Sequence, residues 1–162
     1  MAWNDSCRRR NRLALAALLL PHLLAQSSAG YLTAGAPQKV EGKRGAALQS
    51  KIPCTVQEGF HVNSNTPAED YLIPLKLTWV STGALEPGPV SYPAPQMEKY
   101  TFSAKPLSVL TGKFDVTANF KVAANAPAGQ GIAKGTLRYQ ACNDRACYAP
   151  KSIDIAVPYQ IQ

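Results

Sequence analysis

Apolar and polar residues alternate along several short stretches of the chain, and this alternation predicts β-strands. The clearest stretch is residues 114–122, where five apolar residues alternate strictly with four polar ones. A period of two places its apolar members on one buried face: Phe114, Val116, Ala118, Phe120 and Val122. Residues 75–79, 137–141 and 153–157 repeat the alternation. Each of these stretches is therefore predicted to be a strand with one buried face.

The arrangement of these strands indicates the fold class. No window of a dozen residues shows a helical period, and thirteen prolines divide the chain into short segments, which disfavours long helices. Short alternating strands separated by turn residues indicate an antiparallel sandwich or barrel. Because each strand has a single apolar face, two sheets packed face to face fit best. The sequence predicts an all-β fold, an immunoglobulin-like antiparallel β-sandwich.

The N-terminus has the layout of a secretory signal peptide. A basic head at residues 8–12 precedes an apolar run at residues 13–20, and small residues follow at 27–30, which is the order of an export signal. The alternative is an amphipathic or anchoring helix, but the apolar run is shorter than the roughly 20 residues of a membrane span. General secretion is preferred over twin-arginine export, and cleavage after Ala29 is preferred over Ala25. We therefore expect a cleaved signal peptide over residues 1–29.

Net charge and length describe the mature chain. The formal charge of +7 falls to +4 once residues 1–29, with four arginines and one aspartate, are removed. Because the remaining lysines are scattered, no nucleic-acid partner is expected. Residues 30–46 have no sustained apolar period and are expected to be a flexible lead-in, and residues 47–162 suit one domain. The expected location is the periplasm or the exterior, without stable membrane insertion.

Three cysteines remain after removal of the signal: Cys54, Cys142 and Cys147. Cys142 and Cys147 are separated by four residues, and alternating stretches lie on both sides of them, so a hairpin is expected. Asn143 and Asp144 suit its turn because their side chains bond local backbone. A hairpin brings its two sides within the 4.4–6.8 Å Cα separation of a disulfide. A bond between Cys142 and Cys147 is therefore geometrically feasible.

Counting faces along residues 137–141 gives an expectation for exposure. If Tyr139 faces the core, Cys142 faces the opposite way, and we expect it at or near the surface. The position of Cys147 cannot be counted in this way because Pro150 interrupts the register.

The chemistry of the pair stays open at this point. A ring of six residues stabilises a fold by only about 2 kcal/mol, so a structural staple and a redox-active pair are both reasonable. A metal site is disfavoured because only His61 and the distant Cys54 could add ligands. Cys54 lies on a predicted strand and on the same face as Ile52, so it is interpreted as a buried hydrophobe rather than a reactive thiol.

Three blocks of sequence resemble a known family. "YQACNDRACYAP" (residues 139–150) resembles the active-site hairpin of the N-terminal periplasmic domain of the thiol:disulfide interchange protein DsbD. "GFHVNSNTPAEDYLIPLKL" (residues 59–77) resembles two further family segments. "VSYPAP" followed by "FSAKPLSVLTGKFDV" (within residues 90–116) is similar to the segment that carries the family's cap loop. The blocks occur in family order and cover roughly residues 48–161.

The resemblance implies an immunoglobulin-like fold and a redox role for the pair. It implies that Cys142 and Cys147 cycle between dithiol and disulfide, with Cys147 as the nucleophile and Cys142 as the resolving thiol. No cofactor or metal is implied. The implied partners are thioredoxin-like redox proteins and, as a further candidate, a membrane-embedded electron donor. Because the sequence ends at Gln162, before the membrane and thioredoxin-like domains of full-length members, a separate protein is expected to supply the reductant.

The resemblance also implies that aromatic residues surround the cysteines. Phe102 or Tyr100 takes the part of the aromatic on the cap loop, with Phe102 preferred. Phe60 and Tyr139 match family aromatics, although ordinary core packing explains them equally well. His61 is a candidate thiol activator, and a structural histidine is the favoured alternative.

The predicted function is thiol–disulfide interchange, as in a protein-disulfide reductase that relays electrons from a thioredoxin-like donor to periplasmic acceptors. One alternative is a non-catalytic binding module with a structural disulfide in its hairpin. Another is a metal chaperone that uses the reduced pair.

Overall fold

The computed structural model describes residues 30–81 and 83–162, and all regular elements within these ranges are β-strands. The signal peptide expected over residues 1–29 lies outside them. The strands of the described residues are β1 (Leu32–Ala34), β2 (Val40–Gly42), β3 (Ala47–Val56), β4 (His61–Asn63), β5 (Lys76–Trp79), β6 (Leu85–Pro87), β7 (Gln96–Glu98), β8 (Leu107–Leu110), β9 (Lys113–Val122), β10 (Gly129–Tyr139), β11 (Ala141–Cys142) and β12 (Lys151–Ile161). A helix with the length and hydropathy needed to cross a membrane is absent from the same ranges.

The strands form three four-stranded sheets. The first has the order β1-β3-β9-β6, the second β2-β12-β10-β5 and the third β11-β4-β8-β7. The pairings are antiparallel apart from that of β2 with β12, which is parallel. The long pairs β3–β9 and β10–β12 are the centres of the first two sheets.

The first two sheets share one hydrophobic core, as the alternating pattern predicts. On β9, four of the predicted inward residues are buried and Phe114 is half-buried. Trp79 of the second sheet meets Phe120 of the first edge-on, with ring centroids 4.8 Å apart. Ile52 and Leu137, from opposite sheets, belong to the same buried cluster. The predicted all-β, immunoglobulin-like sandwich is confirmed.

Residues 30–46 belong to the fold, which corrects the expectation of a flexible lead-in. β1 pairs antiparallel with β3, and β2 pairs parallel with β12. Leu32 and Val40 are both buried in the core. Strands of three residues are too short to show a period of two in the sequence. They are recognised only in the structure, from their pairing with the edges of β3 and β12.

The third sheet positions the cysteine pair because its two faces have different surroundings. Val62 and Ala141 are paired across β4 and β11 and join the main core. The next pair, His61 and Cys142, points to the opposite face because successive residues alternate. A second, smaller hydrophobic cluster that includes Val109 covers that face.

Candidate active site

The hairpin predicted around the cysteines is present. β10 and β12 pair down to Tyr139 opposite Lys151, and residues 140–150 form the connection. Cys142 and Cys147 form a disulfide and are partners in an antiparallel bridge, with Cα atoms 3.9 Å apart. This separation is shorter than the expected range of 4.4–6.8 Å.

The turn between the cysteines is built by Asn143, as its residue type predicts. The Asn143 side-chain oxygen accepts hydrogen bonds from the backbone N–H groups of Arg145 and Ala146, both at 2.9 Å. Its side-chain NH₂ donates to the hydroxyl of Tyr148 at 2.9 Å. The backbone N–H of Tyr148 donates to the carbonyl of Ala141 at 2.8 Å. These bonds fix the loop on both sides of the disulfide.

The two cysteines differ in exposure, and the expectation for Cys142 is wrong. Cys142 is 0% exposed, whereas Cys147 is half-buried. Face counting correctly directs Cys142 away from the main core, but that face is covered by other residues instead of by solvent. A reactant therefore has more access to the sulfur of Cys147 than to that of Cys142.

Residues 99–106, the loop between β7 and β8, contain the candidate cap aromatics and are called the cap loop below. Tyr100 and Phe102 of this loop, together with Cys147, pack against Leu72, Leu107 and Val109. The Tyr100 and Phe102 rings stack with centroids 5.6 Å apart. The structure thus brings both candidate cap aromatics to the cysteine pair.

A direct hydrogen bond also joins the cap loop to the cysteine loop. The Thr101 hydroxyl donates to the backbone carbonyl of Asp144 at 2.9 Å. The cap loop is therefore held over the turn by one exposed hydrogen bond and by the packing of its aromatic rings.

His61 lies under the cap loop, next to the disulfide. It is the cross-strand partner of Cys142, and its ring stacks on Tyr100 with centroids 4.0 Å apart. Burial lowers the pKa of His61, and the charge of Glu98 partly opposes this shift. The Tyr100 hydroxyl donates to the Glu98 carboxylate. Burial, followed by Glu98, raises the pKa of Tyr100.

A buried amide network anchors the start of the cysteine loop, and the sequence interpretation missed it. The Gln140 side-chain oxygen accepts hydrogen bonds from the Asn63 side chain and the Ile73 backbone, both at 3.0 Å. Its NH₂ group donates to the Tyr148 carbonyl at 3.2 Å. Asn63 also donates to the Ile73 carbonyl at 3.1 Å. Asn63 and Gln140 stand within the quoted blocks, which is the one signal that points to them.

The remaining predicted aromatics occupy two different places. Phe60 stacks on Tyr31 at 4.3 Å and lies 5.8 Å from the Tyr148 ring, adjoining the cysteine loop. Tyr139 is 1% exposed and belongs to the main core, with its hydroxyl hydrogen-bonded to the backbone of Leu32. Phe60 thus borders the site, and Tyr139 is a core residue. Tyr31 and Tyr148 were not identified from the sequence.

Cys54 lies apart from the pair. It is 1% exposed within the main core, on the same face of β3 as Ile52. Burial, with a further contribution from Asp115, raises the pKa of the Cys54 thiol to about 12. The prediction of a buried hydrophobe is confirmed.

Within residues 30–81 and 83–162, no three His, Cys, Asp or Glu side chains are grouped so that they could hold a metal ion.

Comparisons with known proteins add to this picture. A family model described as "Thiol:disulfide interchange protein DsbD, N-terminal" matches residues 32–158. The N-terminal periplasmic domain of ScsB from Proteus mirabilis is similar in structure, with a TM-score of 0.56, 10% identity and coverage of 83% of this chain and 49% of that one. The chain thus spans about half the length of that ScsB structure, and the likeness concerns the fold.

Two further results complete the comparisons. The reduced DsbD N-terminal domain of Neisseria meningitidis gives a TM-score of 0.38 at 14% identity, over 70% of this chain and 82% of that one. No curated protein matches the sequence.

Proposed function

The chain belongs to the family of DsbD N-terminal domains, and on that premise we propose that it relays reducing equivalents by thiol–disulfide exchange. A thioredoxin-like donor reduces the Cys142–Cys147 pair, and the pair then reduces a disulfide in a periplasmic acceptor protein. The proposed location is the periplasm, which is an oxidising compartment where such exchange is needed.

The asymmetry of the pair is the observation that carries this proposal. Cys147 is half-buried and packs in the same small cluster as Tyr100 and Phe102 of the cap loop, whereas Cys142 is fully buried. A purely structural disulfide does not need one exposed and one buried sulfur. It also does not need a loop of aromatic side chains packed beside it. An exchange pair needs one sulfur that a partner can reach and a second sulfur held close behind it.

The proposed reduction proceeds in two displacements. A thiolate of the donor attacks the Cys147 sulfur, the Cys142–Cys147 bond breaks, and Cys142 leaves with the electron pair and takes up a proton. The second thiolate of the donor then attacks the donor sulfur in the mixed disulfide and releases the Cys147 thiolate. The donor becomes a disulfide, and two electrons have moved to this chain.

The same chemistry then runs in the other direction. The Cys147 thiolate attacks the acceptor disulfide, and Cys142 resolves the resulting mixed disulfide by attacking Cys147. The acceptor leaves reduced, and the Cys142–Cys147 bond is restored.

The reduction potential of the pair tests the proposal. The mature chain of residues 30–162, with Cys54→Ala to leave Cys142 and Cys147 as its two cysteines, is equilibrated in graded thiol/disulfide buffers, and its free thiols are alkylated and counted by mass. We expect a potential between about −180 and −270 mV, the range of known exchange proteins. A potential below about −300 mV marks a structural bond. In that case the relay is wrong, and a binding module with a structural disulfide replaces it.

A further inference from the structure

We propose that His61 accepts the proton of the Cys142 thiol when the pair closes to a disulfide, and that Glu98, acting through the Tyr100 contact, stabilises the imidazolium that forms. The inference rests on the proposed function, because it concerns the closing step of the same exchange. It assigns a task to a histidine for which sequence analysis favours a structural role.

The strand register places His61 beside Cys142. The two residues are Cα partners across β4 and β11, and residues directly opposite each other have Cβ atoms about 4.5–5.5 Å apart on the same face of the sheet. The neighbouring pair, Val62 and Ala141, points into the main core. The imidazole and the thiol thus share the face that the cap loop covers.

The burial of Cys142 creates the need for such a group. Its side chain is 0% exposed, so solvent has no access to the thiol while the cap loop is in place. A buried thiol is a poor nucleophile until it loses its proton, because the thiolate is the reactive form. Any base for this thiol must therefore come from the protein.

His61 has a nitrogen available for this task. Its Nε2 atom is buried and has no hydrogen-bond partner within the described part of the chain. Most buried side-chain polar atoms have a partner, so a histidine with only a packing role is expected to have its nitrogens satisfied. The imidazole thus shares a face of the sheet with Cys142 and has a nitrogen that no other described group occupies.

The surroundings of the ring allow it to change charge. The titratable groups that adjoin it within the described part of the chain include Glu98 of β7, Tyr100 of the cap loop and Cys142 of β11. Burial favours the neutral imidazole, which can accept a proton, and Glu98 favours the imidazolium once it forms. Tyr100 stacks on His61 and donates its hydroxyl to Glu98, so it holds the carboxylate near the ring, where its charge acts on the imidazole.

The closing step balances as follows. Cys147 begins in a mixed disulfide with the acceptor, and the S–H proton of Cys142 moves to His61. The Cys142 thiolate attacks the Cys147 sulfur, the bond between Cys147 and the acceptor breaks, and the acceptor leaves as a thiolate. On reduction by the donor, the imidazolium returns a proton to the departing Cys142 thiolate. No further reactant is consumed.

An aromatic disulfide allows the step to be timed. The mature chain of residues 30–162 with Cys54→Ala has no cysteine besides the pair. It is reduced and mixed with dithiobis(nitrobenzoate), which releases one coloured nitrothiobenzoate when Cys147 is modified and a second when Cys142 displaces the group from Cys147. We expect His61→Gln to leave the first release unchanged and to slow the second about 100-fold, the lower range for acid–base catalysis.

The pH profile separates proton transfer from a packing effect. In the parent protein the second release accelerates as pH rises through the pKa of His61, because only the neutral ring accepts a proton. The inflection lies below the ordinary histidine pKa, because burial lowers the pKa of His61. His61→Gln loses this inflection. Glu98→Gln moves it to lower pH, because the imidazolium has lost its counter-charge.

Two control variants complete the design. Val62→Ala removes core packing at the adjacent position of β4 and leaves the timing of the second release unchanged. Cys142→Ser releases a single equivalent, which identifies the second release with Cys142.

The possible failures are distinguishable. If the parent protein releases both equivalents and His61→Gln releases the second one at the same rate with the same pH profile, the role of His61 is wrong and the relay stands. If the parent protein with both cysteines releases only one equivalent, the pair does not close on a thiol, and the proposed function fails with it.

Discussion

Cys54 and Cys142 are both fully buried, yet the two thiols have different chemistry available to them. Cys54 lies in the main core among aliphatic side chains, and its hydrogen bond is a weak one to the Ile52 carbonyl at 3.6 Å. Cys142 has a bonded sulfur and an imidazole as neighbours on its face of the sheet. The reactivity of a buried cysteine therefore depends on the groups beside its sulfur and not on burial alone.

The stability of the fold at alkaline pH is expected to depend on Cys54. Burial, followed by the charge of Asp115, raises its pKa from 9.0 to about 12. In the unfolded chain the thiol loses its proton at the lower value, so the unfolded state binds fewer protons than the native state above that pH. The free energy of unfolding therefore falls as pH rises from about 9 towards 12.

The measurement is urea unfolding at a series of pH values for the parent protein and for Cys54→Ala. Cys54→Ala is expected to be less stable at neutral pH, because it leaves a small cavity, and to lack the alkaline decline that Cys54 contributes. Equal slopes against pH in the two proteins contradict the assignment.

We expect the cap loop to control access to the pair. Its residues 99–106 connect the short strand β7 to β8, and its hold on the cysteine loop consists of the Thr101–Asp144 hydrogen bond and the packing of Tyr100 and Phe102. A loop joined to its neighbour through an exposed hydrogen bond and side-chain packing opens at a lower free-energy cost than the core strands. The loop can therefore cover Cys147 at rest and still move aside for a partner.

Phe102→Ala is expected to raise the rate at which dithiothreitol reduces the Cys142–Cys147 bond by about tenfold. The Phe102 ring is half-buried. Its removal is expected to destabilise the closed loop by about 1.4 kcal/mol, and this makes the open loop about tenfold more populated. The rate is measured by acid quenching, alkylation and mass. Met97→Ala, at an exposed residue of β7, is the matched control and should keep the parent rate. If Phe102→Ala also keeps it, the ring does not shield the pair.

At the scale of the whole molecule, the long strands were predictable and the short ones were not. Residues 114–122 alternate strictly, and residues 153–157 alternate apart from Ala156, because one face of each strand enters the core. β1, β2 and β11 have two or three residues each, which is too short for a period to appear. Their formation depends on the edges of β3, β12 and β4, and those edges exist only in the folded chain.

The features of the site can also be separated into those that were predictable from the sequence and those that were not. The hairpin, its Asn143 turn and the two candidate cap aromatics follow from local residue types and from the resemblance. The burial of Cys142 depends on a loop about 40 residues away in sequence. Face counting uses only neighbouring residues, so it cannot predict that this loop shields the side chain from solvent. The Gln140–Asn63 bond spans 77 residues, so it too is a product of the tertiary fold.

The contribution of β1 and β2 to the whole domain gives the last prediction. A chain of residues 47–162 lacks Leu32 and Val40, two core side chains worth together about 3–6 kcal/mol. It also leaves β3 and β12 with unpaired edges. Because a domain has only about 5–15 kcal/mol of stability, we expect this chain to be largely unfolded or aggregated, as judged by circular dichroism and urea unfolding.

The chain of residues 30–162 is the control and is expected to unfold cooperatively. Leu32→Ala within it separates packing from pairing, because it keeps the backbone bonds of β1 and removes one core side chain at a cost of about 2–5 kcal/mol. If residues 47–162 unfold at the same urea concentration as residues 30–162, the first two strands add nothing to the fold, and the domain begins at β3. If the shorter chain fails, the pairing of β1 and β2 is part of what holds the two sheets together, and the cysteine hairpin, which ends on β12, depends on it.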